Sequence, residues 1–316
     1  MQYVLNVQRT LGKSTTLEAG YNGSQSRHLD DLINAGQPVP GTAAVVTRLP
    51  YPEFGSQGIQ YLHADGTANF NGVSVKLTQR FGTNLTTLLA YTFSKSLDDG
   101  SANRGPGNDF VPENSLCPHT CEWGPSDFNE PQRFVASALY TLPFGSAQRF
   151  LNHGGVVNEL VGGWQLSTIT TAQSGSVTET ATYDSAGVVF SPNGSRLTCV
   201  AGVNEVLPNP NQNGWYNPKA FVNNTPGTFG NCARDNLRGP RQVNIDFSVI
   251  KDFRIREGHA LQFRMEMFNA PNHVELGTPS ASWNNSSGVA PPSNFGYITS
   301  TRAWMRQIQF ALKYNF

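Results

Sequence analysis

The stretch MRQIQFALKYNF at residues 305–316 decides the fold class, because its apolar and polar residues alternate almost without interruption. From Ile308 to Phe316 the even positions carry apolar side chains. The polar residues occupy odd positions: Gln307, Gln309, Lys313 and Asn315. Successive side chains of a strand point to opposite faces, so this pattern predicts a strand with one apolar and one polar face.

The composition excludes several classes of protein. Charged residues make up 14% of the 316 residues, and the formal net charge is zero, so no broad basic surface for nucleic acid is expected. The chain contains 19 Phe and 10 Tyr, which argues against disorder. No apolar run approaches the roughly 18 residues of a transmembrane helix.

The same alternation recurs along the chain, mostly in pairs of segments joined by short links. We predict nine long strands, near 2–10, 15–24, 68–81, 85–95, 131–143, 162–173, 242–254, 259–269 and 303–316. Long polar connections rich in Gly, Pro, Asn and Ser separate the pairs, at 25–67, 97–130, 174–241 and 270–302.

Alternating short and long connections are typical of outer-membrane barrels, which have short periplasmic turns and long extracellular loops. The sequence therefore predicts an all-β fold, an antiparallel transmembrane β-barrel segment. A soluble β-sandwich is the alternative, since sandwiches also alternate and carry long loops. The length of the segments favours the barrel.

The number of predicted strands is odd, whereas single-chain bacterial barrels have even numbers. The N-terminal stretch MQYVLNVQRT lacks the charged and apolar regions of a signal peptide, and it already alternates like a strand. We therefore expect a single barrel domain, 1–316, that is the C-terminal part of a larger barrel.

Several stretches resemble the C-terminal barrel of Oar-like TonB-dependent outer-membrane receptors, in the order in which that family has them. They are SDFNEPQRFVASALYTLPFG (126–145), GGWQLSTITTAQSG (162–175), WYNPKAF (215–221), GTFGNCARDNLRGPRQVNIDFSVIKDF (227–253), MEMFNAPNHV (265–274) and FGYITSTRAWMRQIQFALKYNF (295–316).

The resemblance implies a barrel of roughly 22 strands, closed by an N-terminal plug domain and energised by the TonB complex. The chain would supply about nine of those strands, without the plug or other N-terminal domains. Its implied role is to form the transporter wall and extracellular binding loops for an unidentified ligand. The implied surroundings are outer-membrane lipid, with the plug and TonB complex acting only in a full-length receptor.

The terminal strand also resembles the signal that the barrel assembly machinery recognises. The residues that carry it are Phe310, Leu312, Tyr314 and Phe316. Three other functions stay open as alternatives: a stand-alone porin-like or adhesive barrel, a barrel-borne hydrolase, and a secreted sugar-binding sandwich. No catalytic constellation or cofactor motif appears, so we expect no enzyme activity and no cofactor.

Four cysteines lie in the long connections: Cys117 and Cys121 in one, Cys199 and Cys232 in another. Three connectivities are possible, and we expect two loop disulfides formed in the oxidising periplasm. A zinc site using Cys117, Cys121 and His119 is the alternative. No paired-histidine motif predicts a metal site elsewhere.

The remaining motifs are weaker. GKST at 12–15 is expected to be a hairpin turn, and DDGSANRGPGND at 98–109 is a loop with a partial resemblance to a calcium site. WYNPKAF would either stack on a ligand or pack the loops together. Charges expected on the polar, lumen-facing side of the strands are Lys76, Arg80, Asp246, Arg264, Glu266 and Lys313.

Overall fold

The dominant feature of the computed structural model is one antiparallel sheet of ten strands, nine of them long. The structure describes residues 1–101, 111–146, 148–152, 154–188, 194–283 and 291–316. The long strands are β1 (Gln2–Leu11), β2 (Thr15–Asn34), β3 (Gln60–Phe81), β4 (Leu85–Asp98), β5 (Gln132–Thr141), β6 (Trp164–Gln173), β7 (Gln242–Arg256), β8 (His259–Phe268) and β9 (Gln307–Asn315).

Each long strand pairs with the one before it in the chain, so the sheet is an up-and-down meander. The strands β1 and β9 are its two edges. The prediction of nine long antiparallel strands is confirmed. None of the described helices is long and apolar enough to cross a membrane.

The pairing register places most apolar side chains of one strand opposite apolar side chains of the next; Lys251, opposite Phe263, is an exception. Across β8 and β9, Met265 lies opposite Phe310 and Glu266 lies opposite Gln309. One face of the sheet is therefore mostly apolar, and Phe310 on that face is 67% exposed. Such an exposed apolar face suits a hydrocarbon surrounding, where the backbone is satisfied by inter-strand hydrogen bonds.

The opposite face carries the charges that the sequence predicted for the lumen. These are Lys76, Arg80, Asp246, Arg264, Glu266 and Lys313, whose positions alternate with those of the apolar residues on the same strands. Some of them pair across strands. The Nζ of Lys76 lies 3.4 Å from Oε2 of Glu18, which is its neighbour in register on β2.

The second and third strands are longer than predicted. The alternation predicted 15–24 and 68–81, but the two strands stay paired out to Asn34 and Gln60. Residues 25–34 and 60–67 belong to the long polar connection that the sequence predicts over 25–67, so the prediction is wrong for these two segments. Backbone hydrogen bonds between neighbouring strands extend the ladder there without requiring a particular side chain. A membrane-crossing strand needs only about 9–11 residues, so this β2–β3 extension projects beyond the apolar face.

The other predicted bounds differ less. The last strand begins at Gln307 rather than at 303, β5 ends at Thr141 rather than at 143, and β6 begins at Trp164, after two glycines. Gly163 has a φ of +69°, a conformation that favours glycine, so the strand begins only beyond it.

Short elements lie in the connections. A six-residue helix, α1 (Val156–Val161), links β5 to β6. The short strands are Gly124–Pro125, Val177–Thr178, Thr198–Cys199, Val206–Asn211, Gly214–Tyr216, Phe221–Val222 and Leu237–Arg238; the 3₁₀ turns are Val45–Thr47, Pro52–Phe54 and Pro218–Ala220.

The connections are sorted by length between the two ends of the sheet. Tight turns join β1 to β2, β3 to β4 and β7 to β8, and GKST forms the first of them around Gly12, whose φ is +68°. We call this end the short-turn end. The opposite, long-loop end carries the connections 35–59, 99–131, 174–241 and 269–306.

Two neighbouring residues of β7 provide a test of the two-faced sheet. We expect Val249→Arg, on the apolar face, to lower the free energy of unfolding by about 2–4 kcal/mol, the cost of arginine near a bilayer midplane. Ser248→Arg is the matched control, because Ser248 lies opposite Glu266 on the polar face. Denaturant unfolding in lipid vesicles measures both, and equal costs would contradict the assignment of faces.

Candidate functional site

The long loops form a folded assembly with its own apolar core. The core residues come from the connections 174–241 and 269–306: Leu197, Tyr216, Ala220, Phe221, Cys232, Leu237, Ala281, Trp283 and Phe295. The rings of Trp283 and Phe295 lie 4.7 Å apart in an edge-to-face arrangement, and Phe221 lies 5.5 Å from Phe295. Buried aromatic contacts of this kind stabilise a core by more than the burial of their apolar area alone.

The WYNPKAF segment contributes to this core. Tyr216 is 1% exposed and Phe221 is 3% exposed. The half-buried Trp215 donates its indole N–H to the carbonyl oxygen of Arg238 at 2.9 Å. Of the two roles considered for this segment, the structure shows packing between loops.

A buried arginine joins two of the loops. Arg196, from the connection 174–241, donates from its guanidinium to Glu122 at 2.6 Å and pairs with Glu113 at 2.8 Å. Its backbone N–H also donates to Glu113, at 2.9 Å. Glu179 lies farther from the same guanidinium, at 3.6 Å. One cation thus faces three carboxylates in a site largely closed to water.

The excess of carboxylates around Arg196 affects the pKa of Glu113. Burial raises the pKa of Glu113 to about 7, because the attraction of Arg196 does not offset the lost hydration and the repulsion from Glu122. A carboxyl group on the loops therefore titrates near neutral pH.

A second buried arginine ties the loops to the sheet. Arg234 is 1% exposed; its Nε donates to the carbonyl oxygen of Glu122 at 2.8 Å, and one terminal nitrogen donates to the carbonyl oxygen and the carboxylate of Asp98. Asp98 is the last residue of β4. Gly124 lies against this arginine, and a Cβ there would come within 2.8 Å of the Arg234 carbonyl oxygen. The close approach explains the glycine.

A cavity of about 310 Å³ opens between the two loops that Arg196 joins. Its wall combines the Glu113–Arg196 pair with the aromatic rings of Trp123 and Phe229. Both disulfides border it, through Cys121 and Cys232. A charged pair beside aromatic rings is suited to a small polar ligand with a flat apolar part.

The four cysteines form two disulfides in the structure, Cys117–Cys121 and Cys199–Cys232. Each bond stays within one long connection. With both sulfurs of the CPHTC segment bonded to each other, neither is available as a thiolate ligand for zinc.

His119, in the middle of that segment, contacts the sheet instead. Its Nε2 lies 2.6 Å from Oδ2 of Asp65 on the β2–β3 extension, and its Nδ1 lies 2.8 Å from Oδ2 of Asp99. Burial disfavours the charged ring, but the hydrogen bonds to Asp99 and Asp65 outweigh burial and raise the pKa of His119. His63 is part of the same group, and its Nδ1 contacts Asp65.

This histidine–carboxylate cluster was not predicted from the sequence. His63 and Asp65 are separated from His119 by more than fifty residues, and no local spacing connects them. The available signal was the pattern His63-Ala-Asp65, which places two polar residues at alternate positions. The predicted loop 98–109 lies mostly outside the described residues, although Asp98 and Asp99 themselves are described.

The residues of the predicted assembly signal lie at one edge of the sheet. Phe310, Leu312 and Tyr314 are on the apolar face of β9, each at least 50% exposed, and Phe316 is 92% exposed. Tyr314 stacks on His259 and its hydroxyl lies 2.6 Å from Nδ1 of that residue. Their recognition by an assembly machinery stays a prediction.

Comparison with known proteins assigns the family. A model of the outer membrane beta barrel domain matches residues 1–309. The chain belongs to this family. A comparison with curated proteins finds no match. Among solved structures, the outer membrane transporter YddB from Escherichia coli aligns with a TM-score of 0.47 and 11% identity, over 99% of this chain and 32% of that one.

Membership of this family places the sheet in the outer membrane. The protein is an outer-membrane β-barrel of a Gram-negative-type bacterium, in a family that is generally non-enzymatic. In such barrels the short turns are periplasmic and the long loops extracellular. The loop assembly, its cavity and the histidine–carboxylate cluster therefore lie on the outside of the cell. The chain spans about a third of the length of YddB.

The pKa of Glu113 predicts how the loops respond to pH. Since this pKa rises from 4.5 to about 7 on folding, its stabilising contribution is complete below about pH 4.5 and is lost as the pH rises through 7. The shift corresponds to at most about 3 kcal/mol. Proteolysis of the loops in detergent should be slower at pH 5.5 than at pH 8.

Glu113→Gln, which cannot ionise, should reduce that difference. Glu53→Gln is the control, because Glu53 is an exposed carboxylate in a different long connection, 35–59. Equal pH dependence in the Glu113 and Glu53 variants would contradict the assignment.

The two disulfides should differ in their contribution to loop stability. A bond that closes a longer loop removes more entropy from the unfolded chain. The residue separations are 33 for Cys199–Cys232 and 4 for Cys117–Cys121. We expect losses of roughly 4 and 2 kcal/mol for the respective double alanine variants. Denaturant unfolding followed by Trp fluorescence measures them, and a larger loss for the short bond would contradict the prediction.

Proposed function

We propose that the chain is the C-terminal barrel part of a TonB-dependent receptor that takes up a ligand across the outer membrane. The observation that carries the proposal is the folded loop assembly at the extracellular end of a two-faced membrane sheet. A general pore needs an open mouth, whereas a receptor needs an ordered outer surface with specific contacts. The stretches that resemble Oar-like receptors run through this assembly and the strands beneath it.

The extracellular cavity is the proposed place of first ligand contact. Its charged pair, Glu113 and Arg196, is held by the loop core, so it is positioned before a ligand arrives. Preorganised polar groups reduce the entropy lost on binding.

The sheet edges support a larger barrel. In the part of the chain that the structure describes, β1 and β9 each have one side unpaired, and unpaired backbone groups cost several kcal/mol each in hydrocarbon. We propose that further strands of a barrel of roughly 22 cover both edges. The nine long strands described here would then be the C-terminal part of its wall.

The lumen face offers a place for a plug. A polar cavity of about 620 Å³ lies at the short-turn end, bordered by Gln165, Asp252 and Gln262 of the lumen face. Gln262 donates to Asp252 at 2.9 Å, so these groups already form a hydrogen-bonding surface. The proposed partners are a plug domain, the TonB complex, outer-membrane lipid and, during insertion through the β9 aromatic residues, the barrel assembly machinery.

The test has two stages. The first is an immunoblot of native outer membranes with an antibody against residues 174–241. A band near three times the chain mass of 34.4 kDa is expected for a full receptor. The second stage compares the solutes that wild-type and deletion strains remove from the medium, each with and without a protonophore. A receptor of this class should lose uptake of the same solute in the deletion strain and after protonophore treatment.

The main alternative is a stand-alone porin-like or adhesive barrel. It predicts a band near 34.4 kDa, and uptake that persists when the proton-motive force is collapsed. Either result would contradict the proposed receptor.

A further inference from the structure

The histidine–carboxylate cluster lies where both strands of the β2–β3 extension have an irregularity. Arg27 pairs with Thr67, Leu29 with Gly66, and Asp30 with Ala64, so His28 on one strand and Asp65 on the other are left as extra residues. A β-bulge of this kind re-aims a side chain. Here it directs Asp65 toward the loop that carries His119, which lies 2.6 Å away.

Three ligand atoms converge at this bulge. One nitrogen from each of His63 and His119 and one oxygen from Asp65 all lie within 4.8 Å of one another. Nδ1 of His63 is in direct contact with Oδ1 of Asp65, and little solvent reaches either atom. A cation that binds both atoms would take the place of the proton that they share.

A fourth group stands beside them. Asp31 pairs directly with His63 across the two strands, which puts its side chain next to the imidazole. Its Oδ2 is also buried without a hydrogen-bond partner in the described part of the chain. Asp31 therefore lies beside the group formed by His63, Asp65 and His119.

Asp99 completes the arrangement from outside. Its Oδ2 lies 2.8 Å from Nδ1 of His119, and the backbone N–H and hydroxyl of Thr67 hold the same carboxylate at 2.9 Å each. A carboxylate that accepts from one ring nitrogen fixes the tautomer in which the other nitrogen is free to bind a metal. That other nitrogen, Nε2, is the one that faces Asp65.

We propose that His63, Asp65 and His119 bind a divalent first-row transition-metal ion, with Asp31 as an adjacent fourth ligand and Asp99 as the residue that orients His119. Two imidazoles with carboxylates form a donor set suited to zinc, and also to iron or nickel. Mixed nitrogen and oxygen ligands disfavour calcium and magnesium, which take oxygen ligands.

The bound ion would link two parts of the extracellular surface. His63 and Asp65 belong to the β2–β3 extension, whereas His119 belongs to the long loop 99–131. The same loop carries Glu113, which lines the cavity, and Glu122; both pair with Arg196. The Cys117–Cys121 bond restrains His119 within a short ring. The metal therefore links the loop that carries His119 to the β2–β3 extension of the sheet. The inference stands apart from the proposed receptor function, because it concerns binding to the extracellular surface alone.

The test is zinc binding by the protein purified from outer membranes in detergent, at whatever chain length the cell makes. Competition with a chromophoric chelator should show one saturable site. His119→Ala and Asp65→Asn should abolish it, and Asp99→Asn should weaken it about 10- to 100-fold. His273→Ala is the matched control, since His273 is an exposed loop histidine outside the cluster.

X-ray absorption of the zinc-loaded wild-type protein gives a readout that needs no variant to fold. Imidazole and carboxylate ligands at about 2.0–2.1 Å support the site, whereas sulfur at about 2.3 Å would point to reduced CPHTC cysteines and overturn it. Absence of saturable binding, or unchanged binding in the His119 and Asp65 variants, would overturn it as well. The rival arrangement, a protonated His119 bridging two carboxylates, predicts that absence.

Discussion

The structure depends on the hydrogen-bonded pairing of neighbouring strands in a register that keeps one face apolar. In hydrocarbon an unpaired peptide group has no water to form a hydrogen bond with. Strands can therefore cross the membrane only if their backbone groups are paired with those of neighbouring strands. Because side chains alternate with a period of two, a slip of one residue would turn Phe310 toward the lumen and Gln309 toward lipid. The pairing of β8 with β9, and of β7 with β8, therefore holds both the backbone and the two faces in place.

Beyond the membrane, the loops are stabilised by a different set of forces. Their apolar core around Phe221, Trp283 and Phe295 resembles that of a small soluble domain. Buried ion pairs then join this core to the sheet, through Arg196 and Arg234. A buried pair is costly to break, since removal of one partner leaves the other charged and poorly hydrated. The same pairs position the cavity wall, so loop stability and the proposed ligand contact rest on shared residues.

Only some of the functional and stabilising features of the loops could be predicted from the sequence. The cysteines and the WYNPKAF segment were recognisable, and the structure shows both disulfides and the packing role of Tyr216 and Phe221. The close ion pairs of Arg196 were not foreseeable, because Glu113 and Glu122 lie in a different long connection. The cluster of His63, Asp65 and His119 was missed for the same reason, and also because the predicted strands stopped short of the β2–β3 extension.

The sequence by itself determined the strands that cross the membrane, the face that meets lipid and the sorting of short and long connections. These follow from local periodicity, which every residue of a strand reports independently. Only the tertiary structure decided how the loops fold, since their contacts join residues far apart in the chain and obey no repeat. It also decided the length of β2 and β3, because backbone pairing continued where the side-chain pattern ended. The alternation of apolar and polar residues indicates which face of a strand meets lipid. A binding site, in contrast, is formed by chain segments that come together only after folding.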